Sequence, residues 1–212
     1  LSDSKGASAA LSTEAAIMAL QRSMNGFIGP KDIFRNPQAI FRLFTNIRNH
    51  ESPFDLLLGT DGSDFSVMGM HFKLGLYEHQ SAGAIQAVID LISKEGLLVG
   101  ANIDDLKKVK IKIYEPAFGI IGDPHKRDPT TRQSADHSMV FIISRLIVKA
   151  FRLKGEIESE SNQSEIWKKL ILLPEDYAPS AINDPLTRKV MNLIEFVHGG
   201  EKYDKQYPKG IP

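Results

Sequence analysis

Between Ser134 and about Leu153, apolar residues stand at Met139, Ile142, Ile143, Leu146, Ile147 and Ala150. That three-and-four spacing lines them along one face of an α-helix. A stripe of this length has to be buried, so other elements must pack against it. Asp136 falls in the expected first turn, where a negative charge suits the helix dipole. A shorter helix is expected over Ser81–Lys94, with Ala82, Ile85, Val88, Ile89 and Ile92 on one face and Gly96 as its stop. Asp184-Pro185 reads as the start of another, Asp capping and Pro in the first turn. Its face is Leu186, Val190, Leu193, Ile194 and Val197, and Gly199-Gly200 ends it. Lys108-Val109-Lys110-Ile111-Lys112-Ile113 alternates strictly, the period of a half-buried strand. Lys154–Ser164 is charged and reads as a loop. Helices interrupted by one clear strand make α+β the expected class.

The N-terminal part differs. Ser8 to about Met24 is rich in Ala, Leu and Met, with Ala15, Met18, Ala19 and Arg22 at helical spacing and Asn25-Gly26 as a stop. One or two short helices are expected over Lys31–Asn49. Glu51–Asp64, with Pro53, Gly59 and Gly62, reads as a linker. The expected division is residues 1–50, a linker at 51–64, and a second unit at 65–212. Leu1 and the Pro/Gly-rich end EKYDKQYPKGIP both read as cut points in a longer chain.

Composition narrows the function. The 26 basic and 26 acidic residues balance, so no whole-chain field draws in nucleic acid or an anionic membrane. With no cysteine, thiol nucleophiles, disulfides and cysteine-ligated zinc or iron–sulfur sites are excluded from this sequence. No apolar run approaches the roughly 20 residues of a membrane-spanning helix. No G-x-G-x-x-G or G-x-x-x-x-G-K-[ST] occurs, so nucleotide binding has no support.

Two segments could carry chemistry. In Gly69–Ser81, five groups that hold or move protons (His71, Lys73, Tyr77, Glu78 and His79) crowd together just before a helix. Lys73 could pair with a substrate carboxylate or act as a base, and His79 suits acid/base work near neutrality. A polar loop leading to a capped helix is the plainer reading of the same residues. The second segment, Asp123–Ser138, holds Lys126, Arg127, Arg132, His125, Asp136 and His137 ahead of the long helix. His125 and His137 lack a third ligand at zinc-like spacing, so no metal is expected. Asp136-His137-Ser138 has the residue types of a hydrolase triad, but sequence adjacency does not give triad geometry and G-x-S-x-G is missing.

Several runs together resemble the MmgE/PrpD family. GMHFKLGLYEHQSAGAIQAVIDLI is similar to the family's lysine-then-histidine segment entering an amphipathic helix. RDPTTRQSADHSMVFII resembles its loop-to-helix signature P-x-T-R-x-x-A-D-H-S. NDPLTRKVMNLIEF, YPKGIP and SDSKGASAALSTEAAIMAL resemble further family stretches in the same order, so the resemblance covers nearly the whole chain. It implies the end of a large all-α domain over 1–50 and a smaller α+β domain over 65–212 whose closing strands lie beyond the C-terminal residue.

By that resemblance the expected activity is dehydration of 2-methylcitrate to 2-methylaconitate in propionate catabolism, by acid/base chemistry without a cofactor. The alternatives are cis-aconitate decarboxylation, iminodisuccinate epimerisation, or a non-catalytic piece that only dimerises. A small di- or tricarboxylate substrate, a homodimer, and a mitochondrial matrix or cytoplasmic location are implied. Carried over residue by residue, Lys73 and His79 are the expected catalytic pair, though the interval between them is shorter than in many members. Lys5, Arg132, Asp136 and His137 are the expected substrate-side groups.

Overall fold

A computed structural model describes residues 3–31, 33, 36, 66–70, 72–160 and 162–201. The chain divides into two compact units, Ser2–His71 and Phe72–Pro212. Among the described residues no helix is long and apolar enough to cross a membrane. The expected short helices of Lys31–Asn49 fall almost wholly outside the described residues, and the linker 51–64 lies entirely outside them.

The described part of the first unit is chiefly one helix, α1 (Asp3–Met24). It starts five residues earlier than Ser8, since Ser and Ala allow helix. Its stop is the expected one. Asn25 donates its side-chain amide to the Gln21 carbonyl at 2.8 Å, and Gly26 takes φ +90°, a conformation that glycine adopts without a Cβ penalty.

The second unit is helix-rich, with a small parallel two-stranded sheet. Its elements are α2 (Ala82–Ser93), β1 (Val109–Ile113), α3 (Glu115–Ile120), α4 (Arg132–Ala135), α5 (Met139–Arg152), α6 (Lys154–Glu158), α7 (Gln163–Leu170), α8 (Pro179–Ile182), α9 (Pro185–Met191) and β2 (Ile194–His198). α5 is the centre. Met139–Ser144, Leu146–Val148 and Ala150 are all buried, so it is enclosed nearly all round rather than along one stripe. α2, α7 and α9 pack against it. Ile85, Val88, Ile89 and Ile92 are the buried residues of α2, four of the five assigned to its apolar face.

α5 also carries charge into the interior. Asp176, whose side chain is 3% exposed, accepts from Arg145 Nε at 2.9 Å and from Lys149 Nζ at 2.9 Å. Its second oxygen also accepts the Leu173 N–H at 3.0 Å. Asp184 continues the network, with Arg152 at 2.8 Å, the Thr187 hydroxyl at 2.8 Å and Arg145 at 3.4 Å. Every charge in it is paired, as burial requires.

Three expectations about elements are corrected. The long helix does not begin at Ser134: α4 is a separate turn, and α5 begins at Met139. Thr131 and Ser134 form a reciprocal capping box on α4, and the Ser138 hydroxyl caps α5 by accepting the Phe141 N–H at 3.2 Å. Asp136 therefore closes α4 instead of opening the long helix. Second, Lys154–Ser164 is not a loop, since it holds α6 and the start of α7, the latter capped by the Asn162 side chain. Third, α9 starts at Asp184-Pro185 as expected but stops at Met191, and Ile194–His198 is strand. β2 pairs in parallel with β1, Val109 opposite Ile194, Ile111 opposite Phe196 and Ile113 opposite His198. Lys108 pairs with Glu195 across the strands.

Candidate functional site

Gly75 lets the first candidate segment bend against the core. Its φ is +105°, and a Cβ there would stand 2.6 Å from Ile171 Cγ1, so only glycine fits the turn and the close approach. Beyond it, the Leu76 N–H donates to the Leu172 carbonyl at 3.3 Å, and the Tyr177 hydroxyl donates to the Leu76 carbonyl. Tyr77 is buried, its ring centroid 6.4 Å from that of Trp167. The Glu78 N–H then donates to the Asp136 carbonyl at 2.9 Å. The two candidate segments, far apart in sequence, are thus stitched together where each enters its helix.

Around this stitch two imidazoles each stand beside the carboxylate that precedes them in the chain. His137 Nδ1 lies 2.9 Å from the Gln133 carbonyl and also contacts Asp136 Oδ1. Both partners are acceptors, so Nδ1 is the donor in these contacts and Nε2 takes no part in them. The ring is 20% exposed. His79 Nδ1 lies 3.1 Å from Glu78 Oε1, and this ring is 72% exposed. The Glu78 side chain is 11% exposed, and its second oxygen is buried without a hydrogen-bond partner.

Lys73 is exposed, and its ammonium donates to the Tyr77 carbonyl and stands 5.5 Å from the centroid of the Tyr77 ring. No hydrogen bond or ion pair joins it to His79 among the described residues. Arg132 is exposed at the start of α4. Lys5 lies in α1, in the other unit. None of these residues borders the cavity of about 170 Å³ lined by Ile92, Leu98, Val99, Ile157 and Ile166, among others.

Tyr177 supports the first candidate segment from the core, a role with no counterpart in the sequence analysis. It is 1% exposed, and burial pushes its pKa up, helped by the negative charges of Asp136 and Asp176 and opposed by Arg132. The phenol therefore stays protonated and holds the Leu76 carbonyl. No local signal in P-E-D-Y marks it, because its partner belongs to a segment about a hundred residues earlier. Among the described residues no group of three or more His, Cys, Asp or Glu side chains is placed to hold a metal ion.

Compared with protein-family models, curated proteins and solved structures, the chain matches none.

Proposed function

We propose that this chain is part of an enzyme of the MmgE/PrpD kind that dehydrates 2-methylcitrate to 2-methylaconitate by cofactor-independent acid/base chemistry. In this reading 1–50 ends an all-α domain, 65–212 is most of a smaller α+β domain, and the enzyme is a homodimer. The observation that carries it is the Glu78–Asp136 hydrogen bond at 2.9 Å, which joins the two segments on which the family resemblance mainly rests. Elimination takes a proton from carbon alpha to a carboxylate and expels hydroxide from the neighbouring carbon. Such a reaction needs a base, an acid for the leaving hydroxyl, and fixed positive charge for the developing anion.

The residues supply these types. The exposed ammonium of Lys73 serves as a carboxylate clamp, with Arg132 as a further anion-holding group. His79 serves as acid/base, its ring oriented by Glu78. Fold-level likeness alone would not fix the reaction, so the assay has to. Lys73→Ala in the intact protein, followed by loss of 2-methylcitrate, should lower turnover by about 100-fold or more. Lys73→Arg separates charge from proton transfer. Near-normal turnover in Lys73→Ala would remove Lys73 from any central role. Including cis-aconitate and iminodisuccinate as substrates distinguishes the decarboxylase and epimerase readings.

A further inference from the structure

We infer that His137 is a second proton-transfer residue of this site, the base that takes the carbon-bound proton, with Asp136 as its positioning residue. The inference rests on the reading of the site just given and extends it. Hydrogen bonds to the Gln133 carbonyl at 2.9 Å and to Asp136 Oδ1 fix the proton on Nδ1. In the neutral ring the lone pair is then on the other nitrogen, Nε2, and the side chain is 20% exposed. A carboxylate on Nδ1 also supports the positive charge that forms as the ring takes a proton. Asp136 is itself held, its carbonyl accepting the Glu78 N–H at 2.9 Å. The dyad is therefore tied to the segment that carries His79.

The step balances without a further reactant. His137 Nε2 takes the proton alpha to the carboxylate, and the C–H electron pair becomes the new C=C bond. The adjacent C–O bond breaks, and the departing hydroxyl leaves as water with a proton from protonated His79. The substrate class is a hydroxylated di- or tricarboxylate with a hydrogen alpha to one carboxylate and a hydroxyl on the next carbon.

A purely structural His137 would only cap the Gln133 carbonyl, and His137→Asn separates the two roles. The asparagine amide can still donate to that carbonyl but offers no basic nitrogen. In the intact protein with 2-methylcitrate, His137→Asn should lower kcat by about 100-fold or more while KM stays within about threefold and the thermal midpoint holds. A folded His137→Asn protein with kcat within about threefold of wild type would overturn the inference and leave the role of Lys73 standing. Should that variant not fold, Asp136→Asn decides, since it keeps the ring and removes the charge. Its kcat should fall about tenfold or more, and an unchanged kcat overturns the inference. A wild-type protein inactive on 2-methylcitrate, cis-aconitate and iminodisuccinate would overturn the functional reading, and this inference with it.

Discussion

Replacing Asp176 by Ala tests how far the second unit depends on its internal charges. Removing one partner of a buried ion pair costs about 3–5 kcal/mol, chiefly because the other charge is left uncompensated. Here two cations are stranded, Arg145 and Lys149, with side chains only 13% and 17% exposed. Each keeps something: Arg145 has Asp184 at 3.4 Å, and Lys149 has the Ile171 carbonyl at 2.7 Å. Those residual partners put the charge penalty near the low end, about 3 kcal/mol. Loss of the bond from the Leu173 N–H adds about 1 kcal/mol. For a unit of this size, a total of about 4 kcal/mol lowers the thermal midpoint by roughly 10–15 °C. Circular dichroism melts and urea titrations of both proteins measure it. The control is Glu165→Ala, which breaks the exposed pair with Lys168 at 2.6 Å and should cost under about 0.5 kcal/mol. A loss below about 1 kcal/mol in Asp176→Ala would refute the reasoning, because it would mean that both cations reach water without disturbing the core.

Two further stability predictions follow. Gly75→Ala places a Cβ 2.6 Å from Ile171 Cγ1 at a φ of +105°, so it should cost about 2 kcal/mol or more, measured as a shift in the urea midpoint. The pH prediction concerns Asp184. Burial works against its charge, but hydrogen bonds from Thr187 and Arg152 outweigh that and hold its pKa below the ordinary aspartate value. A carboxyl whose folded pKa is depressed stabilises the fold above its unfolded pKa, about 3.9, and the contribution is lost as pH falls through the folded value. Urea midpoints of wild type and Asp184→Asn should therefore differ near neutrality and converge below that range. A gap that persists at the acid end would contradict it.

The readable parts of the fold were those whose pattern fits one period. α2 and β1 stand where one-sided apolar spacing and strict alternation put them. β2 was misread because Ile194, Phe196 and His198 satisfy a period of two while Leu193, Ile194 and Val197 also satisfy a helical one. Only pairing with β1 decides between them, and that partner is remote in sequence. α6 and α7 were hidden by charge: Ile157, Ile166 and Leu170 are the only fully buried residues of these helices. In the candidate site, the crowding of Lys73, Glu78, His79, Asp136 and His137 was legible as composition. The backbone bond that joins the two groups was not, and neither was Tyr177.

The misread boundary at Ser134 and the geometry of His137 have one cause. Adjacent residues on a regular helix point about 100° apart, so a carboxylate and the imidazole next to it do not face each other. They can meet where the backbone leaves the helix. Asp136 is the C-terminal cap of α4, and two residues later Ser138 is extended, at φ −111° and ψ 104°, to start α5. Glu78 is likewise extended, at φ −65° and ψ 132°, just before the short turn His79–Ser81 that leads into α2. Both carboxylate–imidazole pairs thus occupy breaks between elements. The Ser138 hydroxyl, which caps α5 and sets it apart from α4, therefore also fixes the break in which this pair sits.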